Sequence, residues 1–421
     1  MARWPTTICC SAGALIALLA TCARAQTTTT STRPVKQTRS ADDKAPLSLF
    51  PVAQIWTLPL NNQLTAPPAF RNTLAVFPLE GEQFAAYDLE AGTRLWLSNV
   101  TTAVQPVIGT DAVFVVTNDA LVALALKDGS TIWTQPFDDE LAVAPVVAGE
   151  RLLLANLDGD VIARRVADGT ELWRRRVPRA ASSPPAFNRT RLFVPTSDGA
   201  VVALDLDGGA VAWTRRLGGI GHDILANDDR LFLGAQDRYF YCLTTKEGEV
   251  DWRWQTGADS VGAPVADEHT VYYVALDNVL RGLSRSSGSQ RWKSPLPIRP
   301  IAGPLKYRET LVVAGTTPAL QAYSARDGKS QGRYAVSTEL SAPPYLFDDR
   351  ARVFPVLTTI SSDIVGRATV TGATRDIEPP AAAIVALPNA ETVPTLPDPP
   401  ADLSVVSALP NLTPVVPGAP R

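Results

Sequence analysis

Few residues of this 421-residue chain could do chemistry, and their spacing does not gather them. There are two histidines, His222 and His269. His222 follows a glycine-rich run, Gly218-Gly219-Ile220-Gly221, and His269 follows Asp267-Glu268 in a turn. Metal sites favour clustered His and Cys ligands, and two histidines this far apart make a poor set. The glycine run is no phosphate loop, because neither a helix nor a Lys-Ser/Thr pair follows it. Calcium takes six to eight oxygens. The clusters Asp138-Asp139-Glu140, Asp228-Asp229 and Asp348-Asp349 each fit a solvated turn between strands. Of the four cysteines, Cys9, Cys10 and Cys22 lie near the N-terminus, and Cys242 reads as a buried structural thiol. These residues predict no catalytic group, no metal site and no bound cofactor.

One charged feature stands out. Arg174-Arg175-Arg176 with Arg179, and Arg215-Arg216, occupy equivalent positions in neighbouring segments, with Arg164-Arg165 nearby. Such charge protects an exposed strand edge from edge-to-edge pairing, or it docks an acidic protein or an anionic envelope polymer. Arg174, Arg175, Arg176, Arg215 and Arg216 are therefore the candidate partner patch. The formal net charge of −3 argues against a nucleic-acid partner.

The elements that must position these residues are set by one periodicity. Trp96, Trp133, Trp173, Trp213, Trp252 and Trp292 recur every 37 to 40 residues, each four positions after Gly92, Gly129, Gly169, Gly209, Gly248 and Gly288. Trp56 extends the grid backwards, and Gly332 stands at the next forward position, four after Gly328. A period near 40 marks a repeat fold whose units bury their apolar faces only by stacking. Six residues before each repeat glycine stands a small residue: Ala86, Ala123, Ala163, Ala203, Cys242, Gly282 and Ala322. These predict close-packing sites, each covered by an indole from a neighbouring unit.

Within one period, Pro145-Val146-Val147 opens a short run, and Leu152-Leu153-Leu154 forms a second. Asp158-Gly159 turns tightly into Val161–Val166, and Asp168-Gly169 turns into Glu171-Leu172-Trp173. This is a four-stranded antiparallel meander. The inner strands alternate poorly, as strands buried on both faces do. Seven complete units end near Trp96, Trp133, Trp173, Trp213, Trp252, Trp292 and Gly332. Three strands follow, around Ala342-Pro343-Pro344, Arg352–Thr358 and Ile364–Thr371, with no fourth. Gln54-Ile55-Trp56-Thr57 is a fourth strand with no first three. Joining them closes a ring and removes its free edges. The prediction is an all-β, eight-bladed β-propeller over residues 52–372.

The segments Ala86-Tyr87-Asp88-Leu89-Glu90-Ala91-Gly92-Thr93-Arg94-Leu95-Trp96 and Ala203–Trp213 resemble the tryptophan-docking repeat of quinoprotein-type (PQQ-like) propellers. The resemblance covers residues 52–372. The Asp of the motif is replaced at Ala125, Arg165, Thr244, Ser284 and Ser324. It implies that Trp56, Trp96, Trp133, Trp173, Trp213, Trp252 and Trp292 pack between neighbouring blades as structural docking residues. One branch of the family holds quinone-dependent dehydrogenases, with long insertions and often a vicinal cysteine ring. The other holds bare, BamB-like propellers without catalysis. Here the connections are short and the only vicinal pair, Cys9-Cys10, lies near the N-terminus, so the chain looks like the second kind.

The ends set the expected address. Arg3, the apolar run Ile8–Ala20 and Ala23-Arg24-Ala25 read as a signal peptide of residues 1–25. A run of about 13 residues is short for a membrane span. Leu19-Ala20-Thr21-Cys22 resembles a lipobox with Thr before the cysteine, so lipidation of Cys22 is the competing reading and the only membrane attachment in view. A flexible tether is expected over 26–51 and a disordered proline-rich tail over 373–421. The functional expectation is an exported, periplasmic, monomeric scaffold that contacts envelope proteins, a barrel-assembly component among them. The alternatives are a propeller binding a carbohydrate or small ligand at the ring's mouth, with Tyr239, Phe240, Tyr241 and Tyr273 as stacking aromatics, and a PQQ-dependent dehydrogenase.

Overall fold

A computed structural model describes residues 48–350 and 352–375. The expected signal peptide, the tether up to residue 47 and the tail from residue 376 lie outside the described residues. The regular elements described are all strands, arranged as eight four-stranded antiparallel sheets. Blades 1 to 7 are continuous in sequence, at residues 69–98, 107–136, 146–176, 186–216, 225–255, 260–295 and 305–335. The first strands of neighbouring blades lie against one another and line the centre of the ring. The fourth strands pair on one side only and form the outer rim.

Burial follows from the stacking. Leu152, Leu153 and Leu154 are all buried although they point alternately to opposite faces, because each face meets another sheet. Phe114, Phe193 and Phe232 hold the same place in blades 2, 4 and 5 and are fully buried. The fourth strands, such as Thr131–Pro136, are largely exposed.

Blade 8 draws on both ends of the domain. Its first three strands are Leu340–Phe347, Val356–Ser362 and Arg367–Arg375, and its fourth is Val52–Gln63. Trp56 pairs opposite Gly372. The closed eight-bladed architecture is the one the strand count expects, but two strands of this blade sit further along than expected. First-to-second turns are two or three residues long in blades 1 to 7, whereas blade 8 spends residues 348–355 on this connection. That pushes the second strand from Arg352–Thr358 to Val356–Ser362. The next turn is fixed by Asp363, whose Oδ1 accepts the amides of Val365 and Arg367. The third strand therefore runs to Arg375, past the boundary expected at 372.

The N-terminal boundary also moves. Leu49 and Phe50, expected in the tether, are buried at 0% and 3% exposure. They join a core cluster with Val312, Ala322, Phe354 and Leu357 from blades 7 and 8.

Candidate functional site

The seams between blades determine which surfaces remain for function. Each repeat Trp pairs directly across from the small residue of its own blade: Ala86 with Trp96, Ala123 with Trp133, Ala163 with Trp173, Ala203 with Trp213, Cys242 with Trp252 and Gly282 with Trp292. This corrects the expectation that a neighbour's indole covers the small residue. Directly paired side chains share a face at about 5 Å, so only a small partner leaves room for the ring.

From that position each indole reaches the next blade. A Cβ added at Gly129, Gly169, Gly209, Gly248, Gly288 or Gly328 would fall 2.5–2.6 Å from the preceding blade's indole. All six glycines have φ between +66° and +71°, a conformation that side chains rarely adopt. The indole Nε1 groups of Trp96, Trp133, Trp173, Trp213, Trp252 and Trp292 donate to the carbonyls of Leu126, Val166, Leu206, Thr245, Arg285 and Ala325 at 2.8–3.2 Å.

Two seams depart from this pattern. Blade 7 has Gly332 where a Trp would stand, at φ +138°. Phe50 occupies that place, with its Cδ1 3.6 Å from where a Gly332 Cβ would lie. The segment is held by the Leu49 amide on Thr310 Oγ1 (3.2 Å), by Ser48 Oγ on Gln331 Oε1 (2.9 Å), and by the Arg375 guanidinium on the Ser48 carbonyl. At the last seam Trp56 lies close over Gly372 and packs on the cluster shared by blades 8 and 1. A Cβ at Gly92 would meet nothing within 4 Å, so that seat carries no ring.

The arginines of the candidate patch do lie on outer strands, and each already has partners. Arg174 meets Asp139 at 3.1 Å, Glu171 at 3.2 Å and Asp160 at 3.5 Å. Arg176 pairs with Asp160 at 3.3 Å, and Arg216 with Asp198 at 2.8 Å. Arg175 and Arg215 point the other way along with the indoles, and their Nε atoms donate to the carbonyls of Gly209 and Gly248 in the next blade. Strand alternation therefore splits the run into interblade struts and rim ion pairs. Burial works to raise the Asp139 carboxyl, but hydrogen bonds from Arg174 and Asn156 outweigh it and hold the group below the usual range.

The remaining sequence candidates are dispersed. His222 lies in the connection between blades 4 and 5, its amide on the Gly234 carbonyl at 2.9 Å. His269 lies in the first turn of blade 6, where its amide donates to Asp267 Oδ1 at 3.0 Å. Cys242 is fully buried, and burial pushes its thiol up to about 12. Phe240, Tyr241 and Tyr273 are core residues, with Phe240 stacked on Tyr273 at 4.1 Å, so they offer no face to a sugar. Among the described residues no three His, Cys, Asp or Glu side chains converge to hold a metal ion.

Two cavities, which the sequence reading did not anticipate, open on the side of the first-to-second turns. One of about 760 Å³ spans blades 4 to 6, between Phe187, Asp228, Glu268 and Arg285. The other, of about 710 Å³, spans blades 7, 8 and 1 where the ring closes, between Tyr307, Tyr345, Arg350 and Glu90. Their residues come from turns of different blades, so no local motif announces them.

Comparison with solved structures finds BamB from Moraxella catarrhalis at 15% identity and TM-score 0.63, covering 78% of this chain and 98% of that one. The computationally designed Ika8 protein matches at 11% identity and TM-score 0.64, over 75% of this chain and 98% of its own. The quinohemoprotein alcohol dehydrogenase from Comamonas testosteroni matches at 12% identity and TM-score 0.60, over 77% and 76%. At such identities the likeness is one of fold. No curated protein matches the sequence. A family model described as outer membrane protein assembly factor BamB matches residues 52–136, 80–219 and 198–345. With seams built on a repeated indole and a ring closed by its own N-terminal strand, the chain belongs to that family of PQQ-like propellers.

Proposed function

We propose that this protein is a non-catalytic scaffold of the bacterial cell envelope that contacts protein partners during outer-membrane protein assembly. The family match across residues 52–345 carries the reading. The seams support it: their indoles, glycines and arginine struts serve a rigid ring, which leaves turns and rim free to vary in the manner of interaction loops. The proposed location is the periplasm, with outer-membrane attachment if Cys22 is lipidated.

Cross-linking in intact envelopes, followed by affinity purification of the full chain, tests the proposal. Co-recovery of a barrel-assembly component is the expected result, and its consistent absence would remove the assignment. The non-catalytic part is tested separately. Incubation with PQQ and Ca²⁺, followed by alcohols and an electron-accepting dye, is expected to give no dye reduction above that of heat-denatured protein. Turnover would place the chain on the dehydrogenase branch instead.

A further inference from the structure

We infer that the cavity of about 710 Å³ at the ring closure is a binding site for a neutral oligosaccharide. A pyranose offers an apolar C–H face to an aromatic ring, and hydroxyls that both donate and accept. A complementary site therefore combines a fixed aromatic with donors and acceptors in near balance. Tyr345 supplies such a ring and is stacked on Phe70 at 4.7 Å with an interplanar angle of 13°. This stacking holds it in place before any ligand arrives. Tyr307 adds a second phenol. Asp88, Glu90 and Asp348 provide acceptors, and Lys306, Arg350 and Asn72 provide donors. Three carboxylates against two cations favour no strongly charged ligand.

The sister cavity in blades 4 to 6 sharpens the choice. It is of similar size, at about 760 Å³, but several of its polar groups already have partners. Arg189 pairs with Asp228 at 2.8 Å, and Asp267 accepts the Tyr272 hydroxyl at 2.6 Å as well as two turn amides. In the closure cavity Lys306 donates to the Arg308 carbonyl and Asp88 Oδ1 accepts the amides of Glu90 and Ala91, whereas the side chains of Glu90, Asp348 and Arg350 make no hydrogen bond or ion pair among the described residues. The connection 348–355 supplies Asp348 and Arg350 and is the long one of the eight. The site is thus built from a feature that the other seven blades lack.

The test is isothermal titration calorimetry of the full chain with chitotetraose, cellotetraose and maltotetraose as probes. At least one should bind with a Kd of about 1 mM or tighter. The double variant Asp348→Asn/Arg350→Gln alters two exposed side chains and should weaken that binding at least ~10-fold, with an unchanged melting temperature. Tyr345→Leu, which keeps an apolar contact on Phe70, should weaken it similarly. Arg189→Gln in the sister cavity should leave it unchanged. The inference fails if no probe binds, if the double variant binds like the parent, or if Arg189→Gln weakens binding as much. It stands apart from the scaffold reading, because either result can hold with or without a co-purifying partner.

Discussion

At the scale of single residues, the seam glycines are the most informative positions. Gly209 and Gly92 have nearly the same backbone, at φ +66° and +64°. A Cβ at Gly209 would lie 2.5 Å from Trp173 Cε3, whereas one at Gly92 would meet nothing. Gly92→Ala is therefore expected to cost about 1 kcal/mol, from the left-handed backbone alone. Gly209→Ala adds the cost of displacing a packed indole, for a total of about 3 kcal/mol. Urea unfolding of the pair isolates the indole contact, and equal midpoints would mean that the contact stabilises nothing. Acid should act at this scale too. Asp168 is held at about 2, below the ordinary 3.8, first by the Thr170 hydroxyl and amide and then by Arg165. Asp198 is lowered by Thr196, against burial, with help from Arg216. Carboxyls lowered on folding stabilise fully above their unfolded value, and that contribution is lost as pH falls through the folded value. The melting temperature should hold level down to about pH 4 and fall from there to about pH 2. The gap between the parent chain and Asp139→Asn should shrink over the same range, and a constant gap would show that Asp139 does not contribute through its charge.

At the scale of elements, the strands were legible wherever the repeat is local. The Trp–Gly spacing exposed six blades, and Gly328 with Gly332 a seventh, because both residues of each mark lie within five positions of each other. The closing strand at Trp56 was legible by the same grid. Phe50 was not, because its seat lies in blade 7, at the far end of the domain sequence, and an isolated Phe before a Pro carries no period. The connection 348–355 was missed because Arg352-Val353-Phe354-Pro355-Val356 reads as the start of a strand. In the fold Val353 is 68% exposed while Phe354 turns inward into the cluster that holds Phe50. The arginine run was visible, but its acidic partners in other turns were not, so strand alternation had to separate struts from ion pairs. Gly332 explains why blade 7 needs an outside ring. It brings no side chain to the seam, so the ring comes from the N-terminal side, where Phe50 lies 3.6 Å from the position of a Gly332 Cβ. Phe50→Ala is accordingly expected to destabilise by about 3–4 kcal/mol, as for a buried aromatic. Chemical unfolding measures it, and a loss below about 1 kcal/mol would reduce Phe50 to a passive contact.

At the scale of the whole molecule, ring closure gives every blade two neighbours, and a stack of repeats owes much of its stability to such nearest-neighbour contacts. The strand Val52–Gln63 is the link on which closure depends. It pairs with Arg367–Arg375, and its Ile55, Trp56 and Leu58 pack on a cluster that includes Phe77 and Tyr87 of blade 1. Ser48–Phe50, just before it, fills the seam between blades 7 and 8. One stretch of chain thus serves both seams of blade 8. A chain beginning at Ser48 retains both and should melt like the full-length protein. A chain beginning at Leu64 loses both at once and leaves Arg367–Arg375 as an unpaired edge, open to association with other chains. Its melting temperature should drop by about 10 °C or more, given the size of the aromatic contacts removed. Light scattering should show concentration-dependent association that the Ser48 chain lacks. If the two truncated chains melt together and stay equally monodisperse, the blades must hold their arrangement without closure, and the rigidity on which the scaffold reading relies would have to come from the individual indole seams instead.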